Sequence, residues 1–435
     1  MGHTKWQAWR ITIKCKYFLK PFIKRLRRIS PLLKKIKIKC RYFLKRLKKK
    51  IKASMNKPFK GFLVSIFGFV TLFAFIIKGV FVKRPVASES KDKLLIIVPT
   101  DYKIFEPNFN GGAKDIQSTL EQIKQLDIPF QVVPVSRRIS HAIYFLLKER
   151  GALDLFLFDS VLISIPGASG SLPLYLRLLG FKNIHFRSHN AEFFHRKDWL
   201  KAATSFSGKL KASKKLITGT FSDFLVSVSS QSILSVSEFE IDAYWKVFFP
   251  WCSKKVFYFP GYSPSHIANS YRDSTIAPRR RFATVIGSFQ EGTIISLPDS
   301  SFIFSGEKVR EFVHRQGLEL ASVGFSVPLT FCDVNLGRID DIDEIIADSE
   351  VIIIPTLYGW GFKTKVSDAA AMHQSILMVE TQYARYGEWR TLITSVSNWA
   401  GIESVELKVI TDSAYNEFLG NVMSVRKDVL RMISA

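Results

Sequence analysis

The stretch VIIIPTLYGWGFKTKVSDAAAM, residues 351–372, places a strand, a glycine loop and a helix one after another. Residues 351–354 are all apolar and β-branched, a run that is typical of a strand buried on both faces of a parallel sheet. Pro355 ends this run, and a Gly-x-Gly loop at residues 359–361 connects it to an alanine-rich helical pattern. A strand, a loop and a helix in this order predict one unit of a doubly wound α/β domain.

The same alternation of apolar runs and helical patterns begins at residue 93. One helical pattern places Ile116, Leu120 and Ile123 on one face, and a second covers residues 139–150. Repeated βαβ order predicts parallel sheets, and a polar stretch at residues 271–281 predicts a linker. We therefore expect an α/β protein with two Rossmann-like, doubly wound domains, residues 90–272 and 280–435. Their strands are predicted at residues 94–98, 130–135, 153–158, 183–186, 233–236, 282–286, 301–304, 351–354 and 376–379.

The positive charge of the chain is concentrated in its first 60 residues. The net charge is +26, yet residues 1–60 contain 22 Lys and Arg and no Asp or Glu, so the remainder is nearly neutral. Residues 61–77 carry no charge, and a helix extended to residue 82 would be about 33 Å long, enough to cross a hydrocarbon core of about 30 Å. We predict a basic amphipathic helical arm over residues 1–60 and a transmembrane or membrane-anchor helix over residues 61–82. An in-plane helix is the alternative to a span.

The arm is expected to bind an anionic membrane surface. Binding of nucleic acid is the rival interpretation, and it is disfavoured because an apolar segment begins directly after the arm. The positive-inside rule places the arm in the cytoplasm, so a true single span would put both domains on the far side. Residues 85–435 contain no Asn-x-Ser/Thr sequon, and the four cysteines form no CxxC pair. We therefore expect a single-pass or monotopic membrane protein whose domains face the cytoplasm.

A glycine pair follows the first predicted strand, at the end where open parallel sheets bind ligands. Gly111 and Gly112 open a helix and are candidates for an acceptor or phosphate loop. Glycine allows a ligand to approach the backbone, and a helix N-terminus attracts negative charge. An ordinary turn is the alternative.

A polar loop follows the strand predicted at residues 183–186. Its candidate catalytic residues are Arg187, His189 and Glu192. An arginine can bind phosphate oxygens, and a histidine can contact a sugar or move a proton. A solvated loop with a helix cap at Asn190 is the alternative.

The loop at residues 359–361 and the helix after it form the candidate donor site. Backbone N–H groups at Gly359 and Gly361 and the helix dipole can contact a diphosphate. Lys363 and Lys365 add positive charge to the same place. Asp368 can accept hydrogen bonds from ribose hydroxyls. Because lysine and a helix N-terminus stabilise a leaving diphosphate without a metal ion, we expect neither a metal nor another cofactor.

Asp341-Ile342-Asp343 has the form of a metal-binding Asp-x-Asp motif. The apolar pair Ile345 and Ile346 follows after Glu344. We interpret the two acids as the first turn of a helix, where negative charge is favourable.

In their order along the chain, these motifs resemble those of glycosyltransferase family 4. The loop from Arg187 to Glu192 is similar to the Arg-x-His-Asn-x-Glu loop of several members, and the glycine pair to their first glycine loop. The resemblance spans residues 93–400 and implies two Rossmann-like domains that face each other. The residues that match the C-terminal motif are Pro355, Gly359, Gly361, Lys365, Asp368 and Ala369.

The resemblance implies a hexosyltransferase-like enzyme that moves a sugar from a nucleotide-sugar with retention and without a metal. It assigns the diphosphate to Lys365, the ribose to Asp368 and the donor sugar or the acceptor to His189. A lipid-linked or other glycan acceptor, in surface polysaccharide or glycolipid assembly, agrees with the membrane attachment. Asp368 replaces the usual Glu, and Trp360 replaces an acid of many members. The alternative function is therefore a non-catalytic membrane-anchored scaffold that retains the fold.

Overall fold

A computed structural model of the protein describes most of residues 94–434, all within one compact unit, Phe75–Ala435. The predicted arm and the predicted anchor helix lie outside the described residues. Among the helices that the structure does describe, none is long and apolar enough to cross a membrane. The described ranges are 94–100, 111–135, 158–165, 171–178, 181–203, 205–261, 281–286, 306–324, 329–337, 339, 342–355, 364–397 and 399–434.

The first domain is built on a six-stranded sheet in the order β2-β1-β3-β4-β5-β6. Every neighbouring pair of its strands is parallel. The strands are β1 Leu94–Pro99, β2 Phe130–Val135, β3 Ser160–Ile163, β4 Asn183–Ser188, β5 Ser232–Ser235 and β6 Val256–Tyr258.

The second domain contains a six-stranded sheet in the order β12-β11-β10-β7-β8-β9, again parallel throughout. Counted along this domain alone, the order is 3-2-1-4-5-6, which is the Rossmann order. The expectation of two Rossmann-like doubly wound domains is confirmed. The strands are β7 Phe282–Ile286, β8 Glu319–Val323, β9 Val334–Asn335, β10 Ser349–Ile354, β11 Ser375–Val379 and β12 Ile393–Val396.

Helices connect the strands and cover the sheets. The first helix buries Ile116, Leu120 and Ile123 against β1, as its apolar spacing predicts. The helix at Phe206–Ser229 has Ser205 as its N-cap, whose hydroxyl accepts a hydrogen bond from the backbone N–H of Gly208 at 3.0 Å. The helices are α1 Gly111–Gln125, α2 Ser171–Leu178, α3 Glu192–Ala202, α4 Phe206–Ser229, α5 Gly306–Arg315, α6 Ile342–Ala347, α7 Thr364–Ala371 and α8 Asp412–Ser434, with short helical turns after β5, β11 and β12.

Of the strand predicted at residues 153–158, only Phe158 is described, and it lies outside the strands of the structure. Strand β3, Ser160–Ile163, begins two residues later and was not predicted. Residues 153–157, the predicted helix at 139–150 and the predicted strand at 301–304 lie outside the described residues. Strands β6, β8, β9 and β12 were not predicted either. Glu, Ser or Asn interrupts the apolar pattern of β8, β9 and β12, and β6 is only three residues long.

The last helix connects the cores of the two domains. Tyr415, Phe418 and Val422 of α8 pack in the core of the second domain. Leu430 and Ile433, about two to five turns later, pack with β1 of the first domain. The end of the chain therefore returns to the first domain, although the predicted boundary at residues 280–435 assigns it to the second.

Candidate functional site

Each sheet has one topological switch point, where the strand order along the chain changes from one direction across the sheet to the other. In the first sheet it lies between β1 and β3, and in the second between β7 and β10. Crossover helices diverge there, which leaves a crevice beyond the carboxyl ends of the strands. Ser164 follows β3 and His189 follows β4, while Lys365 follows β10, so these side chains lie at those ends.

His189 contacts two elements of the first domain. Its Nε2 lies 3.1 Å from Ser164 Oγ, within hydrogen-bond distance. Its Nδ1 lies 3.8 Å from a carboxylate oxygen of Asp115, in the first turns of α1. The ring is held between the ends of β3 and α1, which is a suitable position for a group that contacts a substrate.

Arg187 is directed into the protein. Strand β4 extends through Ser188, so Arg187 belongs to the strand, and its side chain is fully buried. Its Nε and Nη2 donate to the two carboxylate oxygens of Asp115, at 3.1 and 3.2 Å. It also donates to the carbonyl oxygens of Phe259 and Pro260. The predicted contact with phosphate would require some of these bonds to break.

Asp115 also pairs with an arginine from the far end of the chain. Nη1 of the fully buried Arg426, in α8, lies 3.3 Å from Asp115. Gln122 and Thr119 accept hydrogen bonds from the same guanidinium, at 2.7 and 2.8 Å. Burial opposes ionisation of Asp115, but the charges of Arg187 and Arg426 outweigh it and hold its pKa at about 2. The carboxylate is therefore ionised, and it orients both arginines.

Glu192 begins α3 and pairs within the first domain. Its Oε2 accepts a hydrogen bond from Arg196 at 2.9 Å, and its backbone N–H donates to Asp223 at 3.2 Å. Tyr244 donates its hydroxyl hydrogen to the same oxygen of Asp223. Burial raises the pKa of Glu192, although Arg196 opposes the shift, and burial raises that of Asp223 well above its ordinary value. These contacts fix the start of α3, directly after the loop that carries His189.

On the donor side, Lys365 lies at the switch point of the second sheet. It sits in the first turn of α7, and its Nζ is 3.4 Å from the carbonyl oxygen of Ile286, the last residue of β7. Gly359, Gly361 and Lys363 lie outside the described residues, so their roles stay predictions.

Asp368 is buried on α7 and forms an ion pair with the first domain. Its Oδ2 lies 3.1 Å from Nζ of Lys114, which follows Gly112 in α1. The same ammonium group donates to both carboxylate oxygens of Asp343, at 2.9 and 3.0 Å. Burial lowers the pKa of Lys114, but the two carboxylates outweigh it, and the net shift is upward. Asp368, the residue predicted to bind the ribose, thus forms an ion pair between the two domains.

Asp343 lies in the first turn of α6, so the helical interpretation of Asp341-Ile342-Asp343 is confirmed for its described part. Asp341 itself lies outside the described residues. Within the described ranges, no group of three or more His, Cys, Asp or Glu side chains could hold a metal ion. The expectation of a metal-free site stays a prediction.

Four residues of this region were not predicted: Lys114, Asp115, Ser164 and Arg426. A signal existed for the first two, because they follow the glycine pair closely near the start of a helix. Arg426 gives no such signal, since it lies 311 positions from Asp115.

Comparison with known proteins gives matches to solved structures alone. No family model matches the chain, and no curated protein sequence matches it. Solved structures include an α,α-trehalose-phosphate synthase (UDP-forming) of Burkholderia vietnamiensis, with a TM-score of 0.48 and 11% identity over 79% of this chain and 99% of that one. HepE of Anabaena, in complex with UDP and glucose, has a TM-score of 0.43 and 10% identity over 79% and 99%. UDP-GlcNAc 2-epimerase of Methanocaldococcus jannaschii has a TM-score of 0.39 and 9% identity over 76% and 99%.

These similarities do not identify a reaction, because unrelated activities share this architecture. Every TM-score quoted is below 0.5. The fold assignment therefore rests on the strand order of the chain itself.

Proposed function

We propose that the protein is a glycosyltransferase that moves a sugar from a nucleotide-sugar donor to an acceptor. The observation that supports this most is the position of Lys365, whose Nζ lies 3.4 Å from the last carbonyl of β7, at the switch point of a Rossmann-ordered sheet. Open parallel sheets bind nucleotides at that point. His189 and Ser164 occupy the corresponding edge of the first sheet.

The donor diphosphate is proposed to bind beside Lys365. As the glycosidic bond breaks, negative charge develops on the leaving nucleoside diphosphate, and a fixed ammonium group stabilises it. The α7 N-terminus adds backbone N–H groups, and the glycine loop at residues 359–361 is proposed to add more. The chemistry needs no metal on this account, and the resemblance to glycosyltransferase family 4 supports transfer with retention.

On the acceptor side, His189 is the proposed catalytic residue. Its Nε2 contacts a hydroxyl, that of Ser164, so it can also contact a sugar hydroxyl. The ionised Asp115, 3.8 Å from Nδ1, favours a ring with a proton on that nitrogen. Arg187 is then a positioning residue, because it holds Asp115 in place rather than the substrate.

Asp368 is proposed to contact the ribose only after Lys114 moves away from it. The ion pair at 3.1 Å connects α7 of the donor domain to α1 of the first domain. Separation of the two domains would therefore free the carboxylate for the ribose hydroxyls. This step would couple donor entry to domain opening.

The setting of the reaction is proposed from the sequence. The basic residues 1–60 and the apolar residues 61–82 support attachment to an anionic membrane with cytoplasm-facing domains. A lipid-linked or glycan acceptor in surface polysaccharide or glycolipid assembly agrees with that attachment.

The test is binding of a panel of UDP- and GDP-sugars to the full chain, measured by calorimetry. Loss of one charge-assisted hydrogen bond is worth about 1.5–3 kcal/mol, so Lys365→Ala should weaken donor binding roughly 10- to 150-fold. Lys308→Ala, which removes an exposed lysine on α5, is the matched control and should change it little. Absence of binding across the panel would contradict the proposal.

A non-catalytic scaffold is the second candidate function. The observation in its favour is that Arg187 and Asp368, two predicted ligand residues, pair within the protein. A scaffold requires no donor, so Lys365→Ala and His189→Ala would leave its cellular role unchanged. An enzyme would lose that role in both variants.

A further inference from the structure

Helix α4 exposes a continuous line of large apolar side chains. Their exposed fractions range from 39% to 85%. At 100° per residue, all six fall within an arc of about 60° on the helix surface. We call this line the α4 stripe, and it consists of Phe206, Leu210, Ile217, Phe221, Phe224 and Val228.

The stripe does not belong to the core of the domain. The buried side of α4, which includes Ala212, Gly219 and Val226, lies on the opposite side of the helix. At the C-terminal end of the stripe, the ring of Trp251 lies 6.1 Å from that of Phe224 and is itself exposed. Single exposed apolar residues are normal, but six of them on one side of a helix mark an interaction surface.

The charge beside the stripe is positive. Lys209 and Lys214 lie on either side of the stripe in the first half of α4, whereas Lys215 turns away from it and lies over the ring of Trp199. The helix has one acid, Asp223, and it is buried. An apolar line flanked by lysines without exposed acids fits a partner with an apolar interior and an anionic surface, which describes a bilayer that contains anionic lipids.

The stripe also lies on the side of the candidate catalytic loop. Helices α3 and α4 run antiparallel. A Cβ on Gly219 would lie 3.4 Å from that of Glu192, at the start of α3. Earlier in α4, Lys215 Nζ lies 4.2 Å from the ring centre of Trp199, which comes later in α3. Glu192 marks the carboxyl end of β4, since α3 begins there. Residues 206–218 therefore extend about 20 Å beyond that end of the sheet, at 1.5 Å per residue.

We propose that the α4 stripe is a docking surface for an anionic lipid bilayer, distinct from the attachment predicted for residues 1–82. The stripe would enter the interface between headgroups and acyl chains, with the lysines against the anionic headgroups. Docking in this orientation would bring the end of β4, and with it His189, close to the membrane surface. The proposal does not depend on the proposed activity, because lipid binding is measured without donor or acceptor.

The test places an environment-sensitive fluorophore on the stripe of the full chain. Cys15→Ser and Cys40→Ser remove the two cysteines of the arm, and Cys252 and Cys332 are buried. The label is attached at Ile217→Cys. The matched control carries it at Lys182→Cys, an exposed position immediately before β4 at the opposite end of that strand.

Both labelled chains are mixed with vesicles of phosphatidylcholine that contain phosphatidylglycerol as the anionic lipid. We expect a blue-shifted emission and quenching by brominated acyl chains at position 217 and neither effect at position 182. Additional Phe206→Ser and Phe221→Ser substitutions should weaken the response at position 217, on the order of tenfold in the lipid concentration required. These side chains point to solvent, so the fold does not depend on them.

Three results would overturn the proposal. An aqueous emission at position 217 on a vesicle-bound chain would mean that residues 1–82 alone hold the membrane. A blue shift without lipid that increases with protein concentration would identify a second copy of the chain as the occupant. A lipid-independent shift that does not change with concentration would identify another segment of the same chain.

Discussion

Replacement of Lys114 by methionine tests the ion pairs that connect the two domains. The ammonium group lies 2.9 Å from Asp343 and 3.1 Å from Asp368, and all three side chains are largely buried. Lys114→Met keeps most of the side-chain length but removes the ammonium group that the two buried carboxylates share. Loss of one partner from a buried ion pair destabilises a protein by about 3–5 kcal/mol. For domains of this size, that corresponds to a fall in Tm of about 6–20 °C.

The assay is thermal unfolding of the full chain in detergent, measured by calorimetry. Because α1 belongs to the first domain and α6 and α7 to the second, the variant should also separate the unfolding of the two domains into two transitions. The matched control is Lys124→Met, at an exposed lysine in the last turn of α1. It should change the free energy of unfolding by no more than about 0.5 kcal/mol.

A triple variant separates the charge effect from the loss of packing. Addition of Asp343→Asn and Asp368→Asn to Lys114→Met removes the two carboxylate charges as well as the ammonium group, so most of the stability should return. The raised pKa of Lys114 gives a second check. Its protonation stabilises the fold fully below its ordinary pKa of 10.5, and that contribution is lost as the pH rises through the higher folded pKa. An unchanged Tm in Lys114→Met, or a triple variant as unstable as the single one, would refute this reasoning.

Three further predictions concern the first domain. The folded pKa of Asp115 is about 2 against an ordinary 3.8, so its ionisation contributes about 2 kcal/mol to the free energy of unfolding above pH 4. That contribution is lost as the pH falls through 2. Urea unfolding should show this loss in the native protein and not in Asp115→Asn. His189→Ala should lower kcat about 10²- to 10⁴-fold with donor affinity little changed, and an unaltered kcat in a transfer assay would exclude it from catalysis. Tyr244→Phe removes the buried hydrogen bond to Asp223 and should cost about 1–3 kcal/mol in urea unfolding, whereas no change would mean that this bond does not stabilise α3.

The two-sheet architecture, and the sheet edges at which open parallel sheets generally bind ligands, could be predicted from the sequence. Apolar runs such as residues 282–286 and 130–135 coincide with strands of the structure. This was possible because the periodicity of buried side chains is a local property of the chain. The same local logic predicted a helix directly after the Gly-x-Gly loop and the two lysines, and it placed Asp343 in the first turn of another helix.

Which charged groups face each other became known only from the tertiary packing. Arg187 and Asp368 have the residue types and positions of ligands, yet Arg187 pairs with Asp115 and Asp368 with Lys114. These partners lie 72 and 254 positions away, and nothing within a few residues of either one specifies them. The exposure of the α4 stripe also depends on tertiary packing. An apolar line on a helix normally predicts a face buried in the core. In α4 the opposite face packs against the domain, so the stripe is exposed. Periodicity is encoded within one element, whereas charge pairing and exposure depend on where distant elements pack.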